Sequence, residues 1–312
     1  MMTNKRILIA DDVHECILPL LTEAGYEPIY SPEIDRRGIL NIIHEFDGLI
    51  IRSKTKVDTE MIDLAVNLKF VARAGAGMDK VDQSYLNSKG IAAINAPEGN
   101  RDSLGEHAIG MLLTLLHKIP SGHKQILNGI WDRDGNRGIE LKGKVVGIYG
   151  VGHMGLSFAS KLKAFGCEVI GYDKFKDDVA NESIQMVDLK DLFERAEILS
   201  IHIPLDDYTK GLFNEAYLRR FKQLKVLINT ARGGVLDTQS LIKLLDDGSL
   251  YAAGLDVLEN EKLGTYSTEE KRQLEKLSSY ENVVLTPHVG GWSYESYQRI
   301  SEVLGEKIAK LL

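Results

Sequence analysis

Three glycines and one aspartate define the first chemistry this sequence can support. Gly150, Gly152 and Gly155 are spaced G-x-G-x-x-G directly after the apolar run Val145 to Tyr149, with His153 and Met154 before the third glycine. The run reads as a buried strand and Leu156 to Phe165 as a helix. In that order Gly150 permits the tight turn out of the strand. Gly152 lets a pyrophosphate approach backbone that carries no Cβ, and Gly155 lets the helix pack closely on the strand. The helix start offers unpaired N–H groups and a positive dipole end to the phosphates. A second strand, Glu168 to Tyr172, ends in Asp173. A carboxylate there can accept both adenosine ribose hydroxyls and would repel a 2′-phosphate, which favours NAD over NADP. Lys174 beside it softens that preference. S-adenosylmethionine, also held by a glycine turn and a strand-end acid, is the alternative ligand, and residues further along must decide.

The elements that position these residues follow a β-α-β-α rhythm, as expected of parallel sheets covered by helices. Before the fingerprint, strands are expected at Arg6–Ala10, Glu27–Tyr30, Gly48–Ile51, Phe70–Arg73 and Ile91–Ile94, with helices at Val13–Ala24, Ile34–Glu45, Asp58–Val66 and Gln83–Lys89. Ala96-Pro97-Glu98-Gly99-Asn100 breaks the rhythm and reads as a crossing point. A helix from Ser103 to Lys118, apolar nearly all round, is expected in an interdomain or subunit interface. A looser stretch, Asn128 to Lys144, leads to the fingerprint. Beyond Asp173, strands are expected at Ile198–His202, Val226–Thr230, Ala252–Val257 and Val283–Leu285, with helices near Leu189–Ala196, Asn214–Arg219 and Thr238–Asp247. Tyr294 to Leu312 reads as one amphipathic helix. Gly264 to Tyr280, rich in Glu and Lys, reads as an exposed helical excursion with a solvated charged face.

Composition narrows the classes. A length of 312 residues points to about two domains. A net charge of −7 supplies no basic field for nucleic acid. No apolar run approaches the ~18 residues of a membrane span, and the four or so apolar residues after Lys5-Arg6 are too few for a signal-peptide core. A cytoplasmic setting is therefore expected. Cys16 and Cys167 are far apart, form no metal-ligand spacing, and are expected to be buried thiols; no metal site is expected.

Polar clusters follow three of the later strands: Asn229-Thr230-Ala231-Arg232-Gly233-Gly234, Asp256-Val257-Leu258-Glu259-Asn260-Glu261 and Thr286-Pro287-His288-Val289-Gly290-Gly291. Loops at one edge of one sheet can converge, so an arginine, a glutamate and a histidine can meet there. The fingerprint, N-T-A-R-G-G, G-L-D-V and P-H-V-G-G boxes, in this order, resemble the D-isomer-specific 2-hydroxyacid dehydrogenase family over nearly the whole chain. Within it, Ile51 to Val57, Val71 to Gly77, Ala96 to Asn100 and Pro287 to Ser296 resemble most the short-form phosphoglycerate dehydrogenase branch.

The resemblance implies a fold, an activity and a set of roles. The fold is α/β: a Rossmann-type NAD-binding domain, 99–289, inserted into a flavodoxin-like substrate domain formed by 1–98 and the C-terminal segment 290–312, with the active site in the cleft between them. His288 is the implied acid/base for the hydroxyl proton, Glu261 the carboxylate that orients it, and Arg232 the fork that grips the substrate carboxylate. Glu259 competes with Glu261 for its role, and the proline that usually follows the glutamate is replaced by Lys262. NAD would be held by Gly150, Gly152, His153, Met154, Gly155, Asp173, His202, Pro204, Thr209, Thr230, Ala231, Asp256 and Gly290. Asp256 is placed at the nicotinamide carboxamide and His202 in the adenine pocket. The substrate would meet Arg52, Ser53, Arg73, Gly75, Ala76, Gly77 and Asn100. Arg52, Arg73 and Lys54 would receive a phosphate. The implied reaction is oxidation of 3-phosphoglycerate to 3-phosphohydroxypyruvate, in serine biosynthesis, by a homodimer built on the Ser103–Lys118 helix. Hydroxypyruvate or glyoxylate reduction, D-lactate and erythronate-4-phosphate oxidation are the enzymatic alternatives. A non-enzymatic NAD-responsive binding protein is the other.

Overall fold

Short β-branched runs bounded by helix-capping Asp, Asn and Ser residues build two parallel sheets in the computed structural model, which describes residues 5–176, 179 and 182–311. The chain divides into two units, Met1–Arg101 with Trp292–Leu312, and Asp102–Gly291.

In the first unit the elements run β1 (Lys5–Ile9), α1 (Ile17–Glu23), β2 (Tyr26–Tyr30), α2 (Arg36–Ile42), β3 (Gly48–Ile51), α3 (Thr59–Leu64), β4 (Phe70–Arg73), α4 (Gln83–Ser88) and β5 (Ala92–Asn95). The sheet order is β2-β1-β3-β4-β5, all parallel. The pleat sends successive side chains to opposite faces. Leu8, Leu49, Ile51 and Val71 pack on one face with Ile39, Met61 and Leu86. Ile7, Ile9, Ile50, Phe70 and Ala72 pack on the other with Ile17 of α1 and with Ile300, Leu304 and Ile308. Those last three belong to the chain's final helix. Asp35, Asp58 and Asp82 cap α2, α3 and α4 by accepting backbone N–H groups.

The next helix, α5, runs Pro97–Leu116 and not from Ser103. The segment Ala96–Asn100, read as a break, is its start, because proline at the first helical position loses no hydrogen bond and brings the right φ. Ala108, Met111, Leu112, Leu115 and Leu116 of α5 lie in the second unit's own core, which accounts for its apolar circumference.

The second unit continues with α6 (Ile119–Leu127), β6 (Val145–Tyr149), α7 (His153–Leu162), β7 (Glu168–Tyr172), β8 (Gln185–Met186), α8 (Leu189–Arg195), β9 (Ile198–Ile201), α9 (Glu215–Leu218), β10 (Val226–Asn229), α10 (Thr238–Asp246), β11 (Ala252–Leu255), α11 (Thr268–Ser279) and β12 (Val283–Leu285). The last helix, α12 (Tyr294–Ala309), belongs to the first unit. The second sheet has the order β12-β11-β10-β9-β6-β7-β8, again all parallel. Its order reverses between β6 and β9, the place where open parallel sheets bind ligands. Two elements, α6 and β8, have no counterpart in the sequence reading. The segment Gly264–Tyr280 is helical, as read, but it is docked: Leu277 is buried in the core beside Leu241 and Leu245, and only the opposite face is solvated. Both cysteines are free and half-buried, not fully buried. Among the described residues no helix is long and apolar enough to cross a membrane.

Candidate active site

At the switch point the glycine turn takes a form no other residue would permit. Gly150 has φ +99°, and a Cβ there would fall 2.7 Å from the His202 carbonyl oxygen; a Cβ on Gly155 would fall 2.4 Å from the Gly150 carbonyl oxygen. Gly152 is the N-cap of α7, with no capping side chain and open space where its Cβ would be. The first N–H groups of α7, at His153 and Met154, thus face an uncapped helix end. Asp173 closes the other side. Its Oδ2 accepts the Val151 N–H at 2.9 Å and its Oδ1 the Phe175 N–H at 2.9 Å, fixing the carboxylate at the end of β7. The Lys174 ammonium lies 5.3 Å from the Tyr208 ring centroid and 5.6 Å from that of Phe175, so these aromatic faces share its charge.

His202 follows β9. Its Nε2 is 2.8 Å from Ser200 Oγ, its Nδ1 is sealed from solvent without a partner, and burial pulls its pKa down to about 4. Thr209 closes the next turn by donating its hydroxyl to the Pro204 carbonyl at 2.7 Å. Thr230 Oγ1 is a second buried atom left without a partner. An uncapped helix start, a fixed strand-end carboxylate and two orphaned polar atoms on neighbouring loops are what a dinucleotide needs, and the residues fit NAD.

The loops after β10, β11 and β12, three adjacent strands, are tied to one another. Buried Asn229 ends β10; its Oδ1 accepts the Ala231 N–H at 3.1 Å and its Nδ2 donates to the Arg232 carbonyl at 3.0 Å. This clamp shapes the turn that carries Arg232, whose Nη1 donates to the Ala231 carbonyl at 2.7 Å. Gly233 then runs against the next loop so closely that a Cβ would sit 1.9 Å from the Leu258 carbonyl oxygen.

Asp256 is buried after β11 and organises the loop after β12. Its Oδ1 accepts the Thr286 hydroxyl at 2.6 Å and the Val289 N–H at 2.9 Å, and its Oδ2 accepts the Gly290 N–H at 2.8 Å. His107 Nε2, on α5, reaches Thr286 Oγ1 at 3.0 Å and Asp256 Oδ1 at 3.4 Å. Burial alone would raise the Asp256 pKa; bonds from His107, Thr286, Val289 and Gly290 outweigh it and hold the carboxyl below its usual range.

That scaffold presents His288. The residue has φ +55°, a conformation rare outside glycine, and its N–H is held by the carbonyls of Asp256 at 2.7 Å and Thr286 at 3.0 Å. The exposed imidazole turns Nδ1 toward Glu261, 2.8 Å from Oε1 and 3.0 Å from Oε2. Glu259 turns elsewhere: its Oε1 accepts the Thr238 N–H at the start of α10 at 2.8 Å. With Nδ1–H donated to Glu261, Nε2 keeps its lone pair and can take a proton.

The first unit gathers a separate set. Arg52 follows β3, its N–H donating to Asp11 Oδ2 at 2.7 Å, and its guanidinium lies 3.9 Å over the Trp292 ring and 3.4 Å from Asp12 Oδ2. Arg73, the last residue of β4, donates Nε to the Arg52 carbonyl at 3.0 Å. Ser53 accepts the Lys80 ammonium through its carbonyl. Lys54 is drawn to the carbonyls of Pro32 at 2.5 Å and Ile34 at 2.8 Å. Gly75, Ala76 and Gly77 form the turn after β4, with Asn95 Nδ2 on the Ala76 carbonyl at 2.6 Å. Asn100, in the first turn of α5, buries an amide oxygen without a partner.

Asn229, His107, Thr286 and Trp292 gain a role only from the structure. Asn229 and Thr286 sit inside the quoted boxes and could have been asked for a role. His107 carries no local signal, since its partners lie far along the chain. Among the described residues no group of three or more His, Cys, Asp or Glu is placed to hold a metal ion.

The sequence model of the D-isomer specific 2-hydroxyacid dehydrogenase NAD-binding domain matches residues 109–290. The chain is 35% identical to hydroxypyruvate reductase of Thermotoga maritima over 311 residues, covering 100% of this chain and 99% of that protein. It is 32% identical over 308 residues to D-3-phosphoglycerate dehydrogenase of Archaeoglobus fulgidus, covering 98% of this chain but 57% of that protein, so it spans little more than half of it. Among solved structures it resembles the TT0316 protein of Thermus thermophilus, with a TM-score of 0.78 and 27% identity over 96% of this chain and 94% of that one.

Proposed function

The chain belongs to the D-isomer-specific 2-hydroxyacid dehydrogenases, NAD-dependent oxidoreductases acting on CH–OH groups, and on that premise we propose that it interconverts 3-phosphoglycerate and 3-phosphohydroxypyruvate. The Glu261–His288 pair carries the chemical part of this reading. When bound, NAD supplies the acceptor for the hydride that leaves the substrate carbon. His288 Nε2 takes the hydroxyl proton in oxidation and returns it in reduction, while Glu261 holds Nδ1 and compensates the imidazolium. Arg232 grips the substrate carboxylate through its planar fork and polarises the adjacent carbonyl. Asp256 fixes the His288 loop and offers the remaining lone pair on Oδ2 to the cofactor carboxamide. Thr230, Ala231 and Gly290 line that position. His202, Pro204 and Thr209 flank the adenine, and Asp173 takes the ribose.

The phosphorylated substrate rests on Arg52 and Arg73, adjacent cations held by backbone and aromatic contacts. Serine biosynthesis, a cytoplasmic setting and a homodimer are parts of the same proposal. The apolar residues Ala108, Met111, Leu112, Leu115 and Leu116 of the Ser103–Lys118 segment are taken up by the second unit's core, so support for the dimer moves to exposed apolar residues on and after α6, Ile126, Leu127, Ile130 and Trp131, the last 84% exposed.

One observation favours a second reading, reduction of unphosphorylated hydroxypyruvate. Asp12 lies beside Arg52 and offsets its charge, and Lys54 is committed to carbonyls. The experiment that tests the first reading is NADH formation from 3-phosphoglycerate by the wild type, Arg52→Ala and His288→Ala. His288→Ala should abolish turnover, and Arg52→Ala should raise KM for the phosphorylated acid. No turnover by the wild type would exclude the reading.

A further inference from the structure

We propose that the segment from Lys262 to Tyr280 is a positioning element for the Glu261–His288 pair, acting through Asn260. The inference rests on that pair being the proton relay. Asn260, next to Glu261, is bonded through every polar group of its side chain and through its carbonyl. Its Nδ2 donates to Glu270 Oε1 at 2.9 Å and to Thr265 Oγ1 at 3.2 Å. Its Oδ1 accepts the Lys262 N–H at 3.0 Å, and its backbone carbonyl accepts the Tyr266 hydroxyl at 2.6 Å. All the partners outside the turn lie in the docked segment.

Those partners are themselves fixed. Glu270 belongs to the capping box of α11, its Oε2 accepting the Ser267 N–H at 2.6 Å while Ser267 Oγ accepts the Glu270 N–H at 3.2 Å. Leu277 anchors the helix in the core, and Tyr280 and Lys276 both reach Asp246 of α10 at 2.7 Å. The Tyr266 phenol is pushed up by burial first, and then by the charges of Glu270 and Glu261. Core packing is thus relayed through α11, Glu270 and Tyr266 to Asn260 and to the backbone bearing Glu261. An exposed glutamate on an untethered loop would sample several rotamers; one on this turn meets His288 at a fixed separation, and small displacements of a reacting group are costly.

Asn260→Ala and Tyr266→Phe, each made alone and in a Glu261→Gln background, test this. Asn260→Ala should lower kcat about tenfold, with a smaller loss for Tyr266→Phe. KM for the hydroxy acid and NADH affinity, measured by fluorescence, should stay within about twofold. In the Glu261→Gln background neither substitution should lower kcat further, because the residue being positioned no longer holds a charge for the imidazole. Unchanged kcat in the single variants, or equal losses in both backgrounds, would overturn the proposal. If Glu261→Gln alone left kcat intact, the relay reading would fail first and the positioning claim with it, while the NADH affinities would still report an intact fold.

Discussion

His288 Nδ1 lies within hydrogen-bond distance of both carboxylate oxygens of Glu261, at 2.8 and 3.0 Å, while Glu259, two residues earlier, turns to the start of α10. The two glutamates are indistinguishable by composition and sit on one short loop. Their different partners give them different expected phenotypes. Glu261→Gln should lower kcat by about 10- to 100-fold with little change in stability. Glu259→Ala should leave kcat near wild type and cost under about 1 kcal/mol, the worth of one exposed bond to a helix N-terminus. Steady-state kinetics with denaturant melts separate the two.

Asp256→Asn should destabilise the second unit by at least about 2 kcal/mol. The buried carboxylate is bonded by Thr286, Val289, Gly290 and His107, and an amide nitrogen would set a donor against one of them. Because its folded pKa is depressed, the stabilisation is present above the unfolded carboxyl pKa and is lost as pH falls through the lower folded value. Unfolding in urea at neutral and acidic pH checks both the size and the direction.

His202 contributes a second titration of the same sign. Its pKa falls from 6.5 to about 4 on folding, so between those values the unfolded chain binds the extra proton. Stability should therefore decline as pH drops from 6.5 toward 4, by at most about 3 kcal/mol, and the His202 contribution should flatten below 4. His202→Gln should lack this component, and the difference between wild-type and variant unfolding free energies across that range measures it.

Asp173 is pinned by two backbone N–H groups and cannot swing away from a ribose phosphate. Asp173→Ala should weaken NADH binding about tenfold, the loss of charge-assisted hydrogen bonds, and should narrow the preference over NADPH. Dissociation constants for both nucleotides, read by fluorescence, test this without turnover.

Much of this architecture was legible because parallel sheets announce themselves. Strands such as Leu49-Ile50-Ile51 are apolar on both faces, and Asp58, Asp82 and Asp188 mark helix starts. The misreadings have local causes. Pro97 looks like a breaker along the chain, but proline opens α5 as well as it ends other helices. The helix α6 starts after Lys118, a left-handed residue at φ +52° that no composition rule marks. A two-residue strand such as β8 leaves no period to detect. Arg232, Glu261 and His288 each lie in a short box after a strand, and their proposed roles are what the resemblance implies. The His107–Thr286 contact joins residues 179 apart, and the Asn260 network depends on how α11 docks. Neither follows from a pattern along the chain.

Turnover of a phosphorylated 2-hydroxy acid at the Glu261–His288 pair is tested most directly by comparing two substrates on one enzyme. The measurement is kcat/KM for NADH-dependent reduction of 3-phosphohydroxypyruvate and of hydroxypyruvate. A preference of about tenfold or more for the phosphorylated acid, the worth of one charge-assisted contact, abolished in Arg52→Ala, is the predicted result. Equal or faster reduction of hydroxypyruvate, indifferent to Arg52, would contradict it.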